Sequence, residues 1–190
     1  MEKVLGAGGM GCVVAATYPN LEQRVAVKFM WPELCANASL AVRFLREARL
    51  AAKVTSPHLV SVFDVGRLED GTPYLVMERR DGKDLEEESI ARGGRIPVDE
   101  LVDTLMQTCV GLAKIHSHGI VHRDLKPPKI FVANEGGAKV VKVFNFGISK
   151  EALSAKPMTA LTTETVLGTP HYMAPEQVKD AKDVDARSDI

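Results

Sequence analysis

Long hydrophobic runs are missing from this sequence. Nowhere in its 190 residues does an apolar stretch approach the roughly 20 residues that cross a bilayer, and the start, Met1-Glu2-Lys3-Val4-Leu5-Gly6, has no signal-peptide h-region. A membrane segment is therefore not expected, and the chain reads as cytoplasmic. An excess of one charge is also missing. The 24 basic and 25 acidic residues are mixed along the chain and leave a net charge of −1, which argues against a nucleic-acid stripe or a polybasic anchor. Cysteine is scarce: Cys12, Cys35 and Cys109 are odd in number, far apart and without metal-ligand spacing, so a disulfide framework and a zinc site are set aside in favour of reduced thiols. Internal repeats and low-complexity tracts are absent too. What is present is ordinary globular material, 45% hydrophobic and 26% charged, enough for one generous domain or two small lobes.

The order of patterns predicts an α+β chain. Val4-Leu5, Cys12-Val13-Val14 and Val25 to Phe29 read as three strands of an antiparallel meander. From Ser39 to Val54 the period becomes helical, with Leu40, Phe44, Leu45, Ala48 and Ala51 on one face and Arg43, Arg46 and Arg49 on another. Leu59 to Val65 and Pro73 to Met77 read as two more strands, and Arg80-Asp81-Gly82-Lys83 breaks the pattern. That break divides the chain into lobes 1–79 and 80–190. Val98 to His118 is a long helix with Leu101, Leu105, Leu112 and Ile115 on one face and Val102, Met106, Cys109 and Ala113 beside them, a width that expects burial from two sides. Ile130 to Val132 and Val140 to Val143 are short strands, Lys150 to Thr169 is polar and Thr-rich, and Ala174 to Lys179 is a helical turn.

Four stretches carry chemistry. Gly6-Ala7-Gly8-Gly9-Met10-Gly11-Cys12-Val13 fits G-x-G-x-x-G-x-V, in which missing side chains let backbone N–H groups approach phosphates. A glycine-rich hairpin with no ligand is the bland alternative. A dinucleotide fold is opposed by the strand-like Val13-Val14, and a Walker loop by the lack of Gly-Lys-Ser/Thr. Lys28 ends an apolar strand, either as an edge amine reaching solvent or as a phosphate ligand oriented by Glu47 on the following helix. His122-Arg123-Asp124-Leu125-Lys126-Pro127-Pro128-Lys129 places a carboxylate two residues from an ammonium in a proline-stiffened loop. Ala174-Pro175-Glu176 is the fourth.

With these motifs in this order, the chain resembles a eukaryotic-like serine/threonine protein kinase, and Gly8-Gly9-Met10-Gly11 with Gly168-Thr169-Pro170 is similar to its bacterial members. The resemblance implies a two-lobed protein kinase-like fold, with an antiparallel β N-lobe bearing one helix and a mainly helical C-lobe. It also implies ATP as phosphoryl donor and a serine or threonine of a protein substrate as acceptor, as Lys126 suggests. Gly6, Gly8 and Gly11 then cover the phosphates, Lys28 binds them, and Glu47 holds Lys28. Val13 and Ala26 lie above the adenine and Phe131 beneath it, Met77 is the gatekeeper, Glu78 and Arg80 offer hinge backbone groups, and Asp84 faces the ribose. Asp124 accepts the substrate proton, and Lys126 steadies the transferred group. Thr165 is the expected activation-loop phosphosite, with Thr159, Thr162 and Thr163 as neighbours and Arg123 as receiver.

Two departures set the expectation for activity. The family's loop places a metal-binding asparagine where this chain has Lys129, and an Asp-Phe-Gly aspartate where Val143-Phe144-Asn145-Phe146-Gly147 has Asn145. An amide is a poorer ligand than a carboxylate for a hard dication, and an ammonium repels it. Magnesium-dependent transfer is therefore expected to be absent or severely reduced. Lys129 either stands in for the ion near the phosphates or points to solvent. Asp189 matches the aspartate that anchors the family's catalytic loop, while the C-lobe's last helices are not in the sequence. Residues 101 to 115 are accordingly expected to expose an apolar face, and Glu176 to lack its arginine partner. Three readings remain: an active kinase, a pseudokinase that binds protein partners, and a degenerate product that folds poorly.

Overall fold

The computed structural model describes residues 2–18, 22–144, 170–179 and 184–190. The chain divides into two compact units, Met1–Thr55 with Val60–Arg80, and Ser56–Leu59 with Asp81–Ile190. The first unit is a five-stranded antiparallel sheet in the order β1-β2-β3-β5-β4, formed by β1 (Lys3–Gly8), β2 (Gly11–Tyr18), β3 (Gln23–Met30), β4 (Val62–Arg67) and β5 (Pro73–Glu78). Register sets Val13 opposite Lys28, Ala26 opposite Met77 and Lys28 opposite Leu75. Two helices follow β3 rather than one. The short α1 (Pro32–Cys35) starts on a proline, whose fixed φ suits a first helical position. Asn37 then caps α2 (Ala38–Ala51), its side chain accepting from Ser39 N and Leu40 N. The buried residues Leu40, Ala41, Phe44, Leu45, Ala48 and Ala51 make one stripe that packs on β4 and β5.

The second unit holds β6 (Gly82–Asp84), α3 (Leu85–Ala91), α4 (Val98–His116), the hairpin β7 (Ile130–Glu135) and β8 (Ala138–Val143), and the short α5 (Pro175–Lys179). Strands β6, β7 and β8 form a three-stranded sheet. Leu85, Ile130 and Val141 form its core, with Ile96, Leu101 and Leu125 packed around them.

The strand expected from Leu59 begins only at Val62. His58 explains the difference, because its carbonyl accepts from Val143 N at 3.0 Å and its Nδ1 meets the Val141 carbonyl at 3.1 Å. Leu59 bridges Val143 in parallel, and Lys142 Nζ donates to Pro57 O at 3.0 Å. These bonds stitch residues 56–59 to β8.

Helix α4 buries one side, not two. Thr104, Thr108, Gly111, Leu112 and Ile115 are inside, whereas Val98, Val102, Leu105, Met106 and Val110 are exposed. Leu105 therefore leaves the face on which its spacing placed it. The inner face is chosen by close approach: a Cβ on Gly111 would lie 2.7 Å from the His58 carbonyl oxygen, so only glycine lets the helix sit there. The hydroxyls of Thr104 and Thr108 are satisfied within the helix, on the carbonyls of Glu100 and Thr104.

Candidate functional site

The glycine hairpin joins β1 to β2, pairing Gly8 with Gly11. Its glycines are not equivalent. A Cβ on Gly11 would lie 1.8 Å from the Phe29 carbonyl oxygen, so that position is glycine because β3 passes against it. Cβ atoms on Gly6, Gly8 and Gly9 would meet nothing within 4 Å. The protein's own packing does not require those three absences, and the open space fits an approaching phosphate. Lys28 is buried on β3 although its neighbours there are apolar, and Glu47 is half-buried on α2 between Phe44 and Ala48. Ala26 and Met77 are buried, while Val13 is half-buried. Glu78 is committed inward: its N–H donates to Ser61 O at 2.9 Å, Oε1 accepts from Ser61 N at 2.8 Å, and Oε2 holds Arg80 Nε at 3.0 Å.

In the second unit the catalytic loop is built around Asp189. Its carboxylate accepts from the backbone N–H of His122 and of Arg123, both at 2.7 Å, and Oδ2 meets His116 Nε2 at 2.8 Å. Arg123 sits at φ +64°, a left-handed conformation that costs a side-chain-bearing residue about 1–2 kcal/mol; two charge-assisted bonds offset that cost. The buried His122 ring has a fixed tautomer. The Asp124 N–H donates to Nδ1 at 3.2 Å, so the ring proton is on Nε2, which bonds the Phe144 carbonyl at 2.8 Å. Burial pushes the His122 pKa down, favouring this neutral form.

Asp124 itself is half-buried, with its Oδ2 3.6 Å from Lys126 Nζ. Gln177, at α5, donates to the Arg123 carbonyl at 2.9 Å and accepts from Ala174 N at 3.0 Å, tying that helix to the loop. Glu176 accepts from the Ser188 hydroxyl, a bond that holds its carboxyl below the usual range. Asp84 caps α3 through Oδ1, which accepts from Glu87 N at 2.8 Å, while Glu87 returns a bond to Asp84 N. Phe131 packs edge-on against Phe144, with ring centroids 5.2 Å apart.

Lys129 does not point freely into solvent. Its backbone N–H closes on Lys126 O at 2.8 Å and its carbonyl accepts from Phe144 N at 2.9 Å, folding the half-buried residue into the loop. Burial lowers its pKa most; the charges of Asp124 and Asp84 pull it back up and Lys126 pushes it down. An ammonium among those groups is the wrong donor chemistry for magnesium, so this position does not fit the family's metal. Among the described residues, no group of three His, Cys, Asp or Glu side chains is placed to hold an ion. Asn145, Phe146, Gly147, the threonines at 159, 162, 163 and 165, and Gly168 lie outside the described residues.

Sequence reasoning anticipated Asp189 but missed His116 and Gln177. The only signal for His116 was its place at the end of a helix six residues before His122.

The model of the protein kinase domain matches residues 1–190. The chain belongs to the protein kinase family. It is 40% identical to the probable serine/threonine-protein kinase PknB of Corynebacterium glutamicum, over all of this chain and 29% of that protein. It is 41% identical to the serine/threonine-protein kinase Pkn1 of Myxococcus xanthus, over 98% of this chain and 26% of that protein. Among solved structures, the PknI kinase domain of Mycobacterium tuberculosis superposes with a TM-score of 0.75 at 27% identity, over 98% of this chain and 67% of that one. The chain thus spans under a third of the length of these curated relatives, and it has the two-lobed α+β fold of the family, covering about two thirds of the solved PknI kinase domain. No described helix is long and apolar enough to cross a membrane.

Proposed function

We propose that this chain is an ATP-binding serine/threonine kinase-type domain of the cytoplasm whose phosphotransfer is absent or severely reduced. ATP supplies the transferable γ-phosphoryl group in this family. The hairpin glycines Gly6 and Gly8 leave room for its phosphates, Lys28 oriented by Glu47 binds them, and Val13, Ala26, Met77, Phe131 and the backbone of Glu78 and Arg80 receive the adenine. Asp124 takes the proton of a protein serine or threonine, and Lys126 steadies the group in transit. Asp84 is the weakest member of the set, because one of its carboxylate oxygens already caps α3.

The observation that carries the impaired reading is Lys129, held inside the catalytic loop beside Asp124 where the family needs a neutral metal ligand. With the neutral amide of Asn145 where the family has a carboxylate, both side chains that would position magnesium are changed, and phosphoryl transfer depends largely on that electrostatic positioning. A pseudokinase that works by binding proteins draws on the same observation. A phosphotransfer assay of the chain beside the Lys129→Asn, Asn145→Asp double variant tests this: the variant should gain activity with magnesium and ATP. Robust activity of the unmodified chain, abolished by Lys28→Ala, refutes it.

A further inference from the structure

Trp31 is the chain's single tryptophan, and nothing in the family pattern of glycines, lysine and glutamate asks for it. It follows β3 directly and is followed by Pro32, which confines a preceding residue to extended backbone; Trp31 has φ −63° and ψ 140°. Its carbonyl accepts from Leu34 N at 3.0 Å and from Cys35 N and Sγ at 3.2 Å each, so its main chain is anchored at the start of α1. From this fixed base it reaches the glycine hairpin twice. The indole Nε1–H donates to the Gly8 carbonyl at 2.8 Å, and the Trp31 backbone N–H donates to the Met10 carbonyl at 3.2 Å. The two bonds grip the turn on both sides of Gly9.

We propose that Trp31 is a positioning residue for nucleotide phosphates, holding the Gly8-Gly9-Met10 turn in its phosphate-receiving shape; this rests on the ATP-binding reading above. The peptide unit is planar and trans, so a Gly8 carbonyl held by the indole sends the Gly9 N–H in the opposite direction. Gly8 and Gly9 have no protein atom near their missing Cβ positions, so no packing contact at those positions holds them. A glycine-rich turn without such a tie samples many backbone conformations, and ordering it on binding weakens affinity. Trp31 moves that ordering into the folded protein. Its effect is confined to ligands that carry phosphates.

The test compares ATP, ADP and adenosine by calorimetry on the full chain and on Trp31→Phe, which keeps an aromatic ring but removes the indole donor. Loss of one net hydrogen bond predicts ATP and ADP binding weakened about fivefold, with adenosine affinity unchanged. A drop shared equally by adenosine makes Trp31 a structural residue only and overturns the proposal, as does unchanged ATP affinity. If the unmodified chain binds neither ATP nor adenosine, the nucleotide reading itself fails, which is a different result. A second measurement needs no variant: the chain's only indole should change its fluorescence on adding ATP and not on adding adenosine. Calorimetric ATP binding without such a change also overturns the proposal.

Discussion

Replacing Asp189 by alanine is the sharpest test of how the catalytic loop is held. The side chain is fully buried and accepts three bonds, from His122 N, Arg123 N and His116 Nε2. Truncation leaves two backbone donors without acceptors in the interior, each worth about 1–3 kcal/mol, and releases Arg123 from the partner that offsets its φ of +64°. The combined loss is about 3–5 kcal/mol, in the range for breaking a buried charged network. For a chain of this size about 1 kcal/mol corresponds to about 2–4 °C in Tm, so the melting midpoint should fall by about 6–20 °C. Circular dichroism melts of Asp189→Ala beside Asp185→Ala provide the comparison. Asp185 also accepts from its neighbour Arg187, through side chain and backbone N–H, but both side chains are largely exposed, and its loss should cost only about 1 kcal/mol. If the two variants melt alike, Asp189 is not the anchor described here. A chain with no cooperative transition in its unmodified form would favour the degenerate-product reading instead.

Two further predictions concern the same elements. His122 is neutral in the folded chain with its pKa lowered by burial, so the unfolded chain binds more protons as pH falls below about 6.5, the ordinary histidine value. Its contribution is present above that pH and is lost towards acid; urea midpoints should drop between about pH 7.5 and 5.5, less steeply in His122→Phe, and equal slopes refute the assignment. The glycines of the hairpin should separate by role: Gly11→Ala forces a Cβ into the Phe29 carbonyl and should cost about 1–3 kcal/mol or more. Gly8→Ala, with open space around it, should leave the melt unchanged while weakening ATP; a melt shift of equal size in both variants contradicts the distinction.

The motifs were legible because they are local. Phosphate approach needs missing side chains within a few residues of one another, and the catalytic loop needs a carboxylate and an ammonium two positions apart, so both are written contiguously. The alternation of β2 and β3 and the stripe of α2 were legible for the same reason, since period reports burial on one side. The partner surfaces were not. Leu105 and Leu112 look equivalent in spacing, and only the approach of α4 to His58 at Gly111 separates them. Leu59 looks like the start of a strand, yet its segment bonds to β8, more than 80 residues away in sequence.

By itself, the sequence determined the family, the three opening strands, and the helices α2 and α4, because each depends on residue identity and period at short range. Tertiary structure decided what identity could not: that Lys129 is half-buried in the loop, that Asp84 is occupied as a helix cap, that Gly11 answers to packing while Gly8 answers to open space, and that Trp31 reaches back across 23 residues to the glycine turn. Those are questions of which groups meet across the fold, and distances between remote segments are set by packing that no short-range pattern encodes.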